Sequence, residues 1–297
     1  MRIHLVQMKP KLFDKKTNLE IMARYIEQAV KQKISLVVFP ELSLTGYMCR
    51  KAFAELAEPI PGPSIRDIAL KAQKNKIYVL FGMAEKKGDG IYNSAPLCGP
   101  NGIVGIWRKT YLPQFISSSG VRYEEKKYFR SAEQLNVFDT RFGKIGIQIC
   151  YEIWFPEIAR AQARQGAWLL LNISAAPMGV PRTFRQLGQA RALENSCWFG
   201  FVNQVGRQES ISFGGGTCMV DPNGALTDLA TLESESKEEV LCCEIISQPV
   251  FKRRKSLPVL RDVRPKIIRK FAHVLDNQER GGEKKRKEKM ILRRDEQ

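Results

Sequence analysis

Histidine is nearly absent: His4 and His273 are the only two in 297 residues. His4 lies inside an apolar run that reads as a strand and His273 near the C-terminus, which argues against a Cys-His or Ser-His-Asp apparatus. Metal hydrolysis is equally poorly served, because there is no HExxH and no cluster of Cys, His or Asp at ligand spacing. Phosphate-cradling loops are missing too. The glycines of "FGGGT", Phe213 to Thr217, lead into a strand rather than a helix, and no Walker-type or GxGxxG pattern occurs. The seven cysteines (49, 98, 150, 197, 218, 242 and 243) follow no disulfide-framework spacing, so most read as small buried hydrophobes. No apolar run approaches the ~18 residues of a membrane span, and "MRIHLVQMKP" has no signal-peptide core. These absences predict a soluble, cytoplasmic protein with free thiols, no metal and no cofactor loop.

The charge balance points first to a polyanion partner, with a formal net charge of +17. From Lys252 onward, however, 17 Lys and Arg face 7 Asp and Glu, so +10 of the excess lies in the last 46 residues. No aromatic residues interleave with the final basic run, and nucleic acid is therefore not the expected partner. Within this region "RPKIIRKFAHVLDNQ" places Ile267, Ile268, Phe271, Val274 and Leu275 on one helical face. The segment after it, "RGGEKKRKEKMILRRDEQ", is charge-dense enough to predict disorder. The expected organisation is one domain over residues 1–265 and a basic helix and tail over 266–297.

Apolar β-branched runs alternate with amphipathic stretches. "RIHLVQM" and "ISLVVFPE" enclose a helical stripe of Leu19, Met22, Ile26, Ala29 and Val30, which is a βαβ unit. A helix near Ser64 to Lys74 precedes a strand "IYVLFGMAEK", then a meander with turns at "GDG" and "PNG". Further strands, "KIGIQIC" and "WLLLNISAA", are followed by helices that start at "FPEIAR" and "TFRQLGQARALENS". The pattern predicts an α/β class with mixed sheets.

With imidazole scarce, an enzyme built on this chain needs a carboxylate base, and carboxylates do stand at strand ends. Glu41 follows an apolar strand that proline terminates, Lys109 follows "GIVGIW", and "RYEEKKYF" supplies Glu124 and Glu125. Cys150 sits at a strand-to-helix corner. In that set Glu41 takes the thiol proton as the sulfur attacks a carbonyl or nitrile carbon, and returns it to the leaving amine. Lys109 and the backbone N–H of Tyr151 face the oxyanion. A second glutamate keeps Lys109 charged and, as a like charge, raises the pKa of Glu41. Each residue alone is more often structural; the combination makes a complete amide-cleaving set.

"FPELSLTGY", "RKTYLP" and "GIQICYEIWFPEIAR" resemble, in order and spacing, the three catalytic blocks of the nitrilase superfamily of carbon–nitrogen hydrolases. Similarity extends through "EEKKYF", "ARALENSCWFGFVNQVG", "FGGGTCMVDPNGAL" and "RRKSLPVLRDVRP", so it runs to about Pro265. The resemblance implies a four-layer αββα sandwich, pairing into a homodimer or larger homo-oligomer, and no cofactor. It assigns Cys150 as nucleophile, Glu41 as base, Lys109 as the lysine, and Glu125 rather than Glu124 as the second glutamate, three residues before Tyr128-Phe129. One departure is Arg108-Lys109-Thr110-Tyr111, where the family often has histidines around the lysine. Candidate pocket walls are Tyr47, Tyr128, Tyr151, Trp154, Ser174 and Ala175. Arg182 and Arg185 are candidate contacts for an acidic ligand, while Arg191 and Glu194 suit an intrahelical pair.

The implied reaction is hydrolysis of a non-peptide carbon–nitrogen bond. "CYE" in place of the "CWE" common in true nitrilases leans towards a small aliphatic amide, giving carboxylate and ammonia through a Cys150 thioester. Nitrile and N-carbamoyl substrates use the same residues. The alternative from another class is a catalytically silent binding protein whose basic tail contacts RNA or an anionic surface.

Overall fold

The computed structural model describes residues 1–117 and 120–277, and the chain packs as two units, 1–257 and 258–297. The first opens with the expected βαβ unit: β1 (Arg2–Gln7), α1 (Lys15–Lys31) and β2 (Leu36–Val38). Asp14 caps α1 by accepting from Thr17 N at 3.0 Å, and Met22, Ile26 and Ala29 form the buried stripe. After the short α2 (Phe53–Leu56), α3 (Pro63–Asn75) starts on a proline, whose missing N–H costs nothing in a first turn. The run predicted as one strand divides into β3 (Tyr78–Leu80) and β4 (Met83–Lys87), and β5 (Gly90–Gly99) and β6 (Gly102–Arg108) complete the meander.

A small hairpin not anticipated from the sequence, β7 (Gln114–Ile116) and β8 (Arg122–Glu124), precedes β9 (Phe138–Thr140) and β10 (Gly143–Ile149). There follow α4 (Pro156–Arg164), β11 (Leu169–Ser174), α5 (Pro181–Asn195) and β12 (Trp198–Asn203). The unit closes with β13 (Val205–Gln208), β14 (Ile211–Gly214), β15 (Cys218–Val220), β16 (Leu226–Leu229), β17 (Glu239–Glu244) and α6 (Gln248–Ser256).

Two mixed sheets result. One runs β17-β1-β2-β3-β5-β4 with β6 on β5, and the other β16-β15-β12-β11-β10-β9. The parallel strands β2, β11 and β12 are buried along their whole length, as strands covered on both faces must be. α1 and α3 cover the first sheet, with Met22, Ile26, Ile65 and Ile68 packed on Val6, Val37 and Val79. α5 lies on the second sheet so closely that a Cβ at Gly188 would stand 2.8 Å from the Phe199 ring. The other faces of the sheets meet, with Leu5 beside Gly200, which gives the four-layer αββα sandwich.

This topology puts the site at one edge. β1, β2 and β3 are parallel, as are β10, β11 and β12, so within each sheet the carboxyl ends share a side. β6 is antiparallel to β5, which is antiparallel to β3, so the carboxyl end of β6 falls on the same side of the sheet as that of β2. Glu41, Lys109 and Cys150 each follow such an end.

In the second unit residues 265–277 are helical, and Ile267, Ile268, Phe271, Val274 and Leu275 are exposed. The charge-dense segment predicted to be disordered lies outside the described residues. Among the described residues, no helix is long and apolar enough to cross a membrane and no group of His, Cys, Asp and Glu is placed to hold a metal ion.

Candidate active site

β2 ends because Pro40 has no N–H for the ladder, and the chain then folds over the break between β3 and β4. Gly82 N donates to Pro40 O at 3.2 Å, and Leu44 N donates to Gly82 O at 3.1 Å. That loop aims Glu41 inward, fully buried. Lys109 is fixed one residue beyond β6 by its own N–H, which donates to Asn93 O at 2.9 Å. Glu125 opens the turn after β8, and Cys150 the turn after β10 with φ of +50°. A non-glycine residue in this left-handed region is strained, and here the strain turns the nucleophile candidate out of its strand.

The Lys109 ammonium stands 2.7 Å from Glu41 Oε1 and 2.8 Å from Glu125 Oε1, with all three side chains buried. Asn93 Nδ2 also donates to Glu41 Oε1 at 2.7 Å, and Ala175 N to Glu41 Oε2 at 2.8 Å. Tyr47 donates its hydroxyl to Glu125 Oε1 at 2.8 Å. Burial pulls the lysine pKa down, but Glu125, Glu41 and Cys150 together drive it above the ordinary lysine value. The ammonium therefore persists at neutral pH.

Burial pushes Glu125 up to about 7; Lys109 opposes that shift and Glu41 adds to it. The Cys150 thiol is held well above the usual thiol range by burial and by Glu41, against the pull of Lys109. Two carboxylates beside one ammonium leave no spare positive charge for a resting thiolate. Ionisation has to accompany attack, with a carboxylate taking the proton.

Glu41, Lys109, Glu125 and Cys150 are thus brought together. Tyr47 and Tyr128 line a cleft of about 430 Å³ that reaches Glu125, with Phe53, Arg122 and Ile211 among its other walls. Ala175 meets the cluster through its backbone N–H. Tyr151 packs against Phe115 and Phe155, at ring separations of 5.7 and 5.3 Å.

Three readings of the sequence need correction. Trp154 is not a pocket wall; the turn after Cys150 carries it away from the cluster, where it is 47% exposed and edge-on to Phe184 of α5. Ser174 is buried beneath the site and donates to Asn172 Oδ1 at 2.7 Å, while Asn172 Nδ2 donates to Cys150 O at 3.3 Å. It braces the elbow instead of facing a ligand. Arg182 does not point inward but is exposed and paired with Glu233 at 2.8 Å. Arg185 is half-buried near Cys218, away from the cluster. Arg191 does pair with Glu194 at 3.1 Å, and it also donates to Ile153 O.

The sequence reading passed over Asn93, Tyr123, Glu152 and Asn172. Asn93 and Asn172 were visible as polar residues interrupting apolar strands, which demand a buried partner. Tyr123 packs on Phe115 at 4.8 Å beside the cluster, and Cys150, Glu125 and Glu41 add to burial in raising its pKa.

Known proteins carry the same arrangement of chain. A nitrilase of Pyrococcus abyssi is 33% identical over 272 residues, which is 89% of this chain and 95% of that protein. An omega-amidase of Saccharomyces cerevisiae is 28% identical over 275 residues, 89% of this chain and 93% of its own. Among solved structures, a carbon-nitrogen hydrolase from Helicobacter pylori superposes with a TM-score of 0.81 at 25% identity, covering 92% of this chain and 98% of that one. The family model described as carbon-nitrogen hydrolase matches residues 2–250, nearly all of the first unit. With Glu41, Lys109 and Cys150 converging inside that span, the chain belongs to the carbon–nitrogen hydrolase family, the nitrilase superfamily.

Proposed function

We propose that the protein hydrolyses a small aliphatic amide to a carboxylate and ammonia through a thioester on Cys150. The observation that carries this reading is the Lys109 ammonium held within 2.8 Å of both Glu41 and Glu125, in a buried cluster with the Cys150 thiol. Glu41 takes the thiol proton while the sulfur attacks the amide carbon. Lys109 and the Tyr151 N–H stabilise the oxyanion, a contribution of the kind whose loss costs about 100-fold or more in rate. The carbon–nitrogen bond then breaks as Glu41 returns the proton to the leaving nitrogen. A water, deprotonated by Glu41, attacks the thioester and releases the carboxylate, and the thiol recovers its proton. Glu125 holds Lys109 in place, and the cycle draws on no cofactor.

The omega-amidase among the relatives supports an amide, and the nitrilase keeps nitriles on the test panel. Arg122 and Arg50 at the cleft wall add amides that carry a carboxylate. Ammonia release is to be measured from aliphatic amides, ω-amides, carbamoyl amines and nitriles, beside Cys150→Ala. Release by the wild type alone, fastest from an amide, is the expected result. Equal release by Cys150→Ala, or a preference for nitriles, rejects it. The same reading includes a homo-oligomer, for which light scattering giving a monomer mass is the contrary result.

A further inference from the structure

The fully buried Glu152 takes no part in the chemistry just described, yet its carboxylate accepts four hydrogen bonds. Oε1 accepts from Thr110 N and Thr110 Oγ1, both at 2.6 Å. Oε2 accepts from Trp107 Nε1 at 2.8 Å and from Ile149 N at 2.7 Å. Trp107 and Thr110 flank Lys109 at the end of β6, in the first sheet; Ile149 immediately precedes Cys150 at the end of β10, in the second. One side chain therefore bonds both strand ends that carry the lysine and the thiol.

We infer that Glu152 is a positioning residue: a strut between the two sheets that sets the separation of Lys109 from Cys150 and holds the nucleophile elbow closed. The inference rests on the reading of the site as a thiol hydrolase. Three features carry it. The bond to Ile149 N closes the turn in which Cys150 has φ of +50°, a conformation that persists only where its surroundings enforce it. The pair of bonds to Thr110 fixes the residue next to Lys109, whose own N–H is tied to Asn93 O at 2.9 Å. Burial raises the Glu152 pKa against the pull of its four hydrogen bonds, and because the backbone N–H groups and the indole can only donate, both of its oxygens have to accept. A glutamine there turns its NH2 towards either Thr110 or the Trp107 and Ile149 pair, and in both orientations one side of the strut opens.

Glu152→Gln tests this without changing side-chain volume. The readouts are kcat and KM on the best amide, the melting temperature, and the rate at which iodoacetamide alkylates Cys150, read by mass spectrometry. The expected result is a folded variant with kcat reduced about 100-fold, as for a reacting group misplaced by about 1 Å, and KM changed by less than about threefold. Alkylation slows by about tenfold, since the thiol no longer faces the carboxylate that takes its proton. A variant that melts lower but keeps the wild-type kcat overturns the inference, because a purely structural role predicts that result.

If Glu152→Gln does not fold, Thr110→Val decides. This near-isosteric change removes one of the four donors, and a kcat lowered by about fivefold at wild-type melting temperature supports the strut. An unchanged kcat rejects it. Should the wild type turn over none of the panel, the proposed reaction fails on its own, and the strut is judged by alkylation alone: slower in the variant supports it, equal rates reject it.

Discussion

Lys109 keeps its charge in a fully buried position because two carboxylates answer it, and Glu125 bears the consequence. Its pKa is pushed up to about 7 by burial, with Glu41 adding and Lys109 opposing, in a cluster that also holds Tyr47 and Cys150. A folded-state value above the ordinary glutamate value of 4.5 means that the folded protein holds this proton longer than the unfolded chain does. The stability it contributes is complete below the unfolded pKa and is lost as pH rises through about 7. Denaturant melts at about pH 5 and about pH 8 should therefore show a drop in wild-type stability that is smaller in Glu125→Gln. The kcat/KM profile should rise along a limb near neutral pH that the same variant removes. A pH-independent rate between those limits would detach Glu125 from the chemistry. The positions of Glu41, Lys109 and Cys150 were legible because each follows a strand with a readable apolar pattern, whereas Glu125 was singled out from Glu124 by the resemblance alone. Asn93 and Glu152 were not legible in their roles: Asn93 lies 52 residues from the Glu41 it touches, and Glu152 lies 42 from Thr110.

At the level of elements, the division between β3 and β4 is the instructive departure. "IYVLFGMAEK" is a nearly continuous apolar run that reads as one strand, with Gly82 as its one local interruption. The cause is tertiary: the loop carrying Glu41 lies directly on Gly82. A Cβ there would stand 2.1 Å from Leu42 N and 2.7 Å from the Glu41 backbone. These are main-chain atoms, which cannot swing aside as a flexible side chain does. Gly82→Ala is expected to cost about 1–3 kcal/mol, as overpacking a filled site does, and to displace Glu41. Thermal melting and kcat measured together check it; a variant with both unchanged would mean that the loop yields without moving Glu41. The β7–β8 hairpin escaped the sequence reading for a simpler reason. Strands of three residues each are too short to establish a period.

For the whole molecule, the question is which part of the chain the site requires. Both sheets, all four clustered residues and α6 lie within the unit that ends at Leu257. α6 is built into that unit: Val250 is fully buried, and Arg254 donates to Ala167 O at 2.6 Å and to the Cys197 thiol at 2.8 Å. Two truncations therefore separate core from appendage. Ending the chain after Leu257 removes the basic helix and tail and should leave the melting temperature within a few degrees and carbon–nitrogen hydrolysis intact, because no residue of the cluster or its braces is lost. Ending it after Ile246 removes α6, uncovers the face that Val250 fills and strips the guanidinium from Ala167 O. Loss of one buried aliphatic side chain alone costs about 2–5 kcal/mol, so this shorter chain should melt well below the other. Calorimetry on the pair is the check. A chain ending at Leu257 that unfolds with the shorter one would make residues 258–297 part of the structural core, and the division of the sequence into catalytic domain and basic appendage would fail.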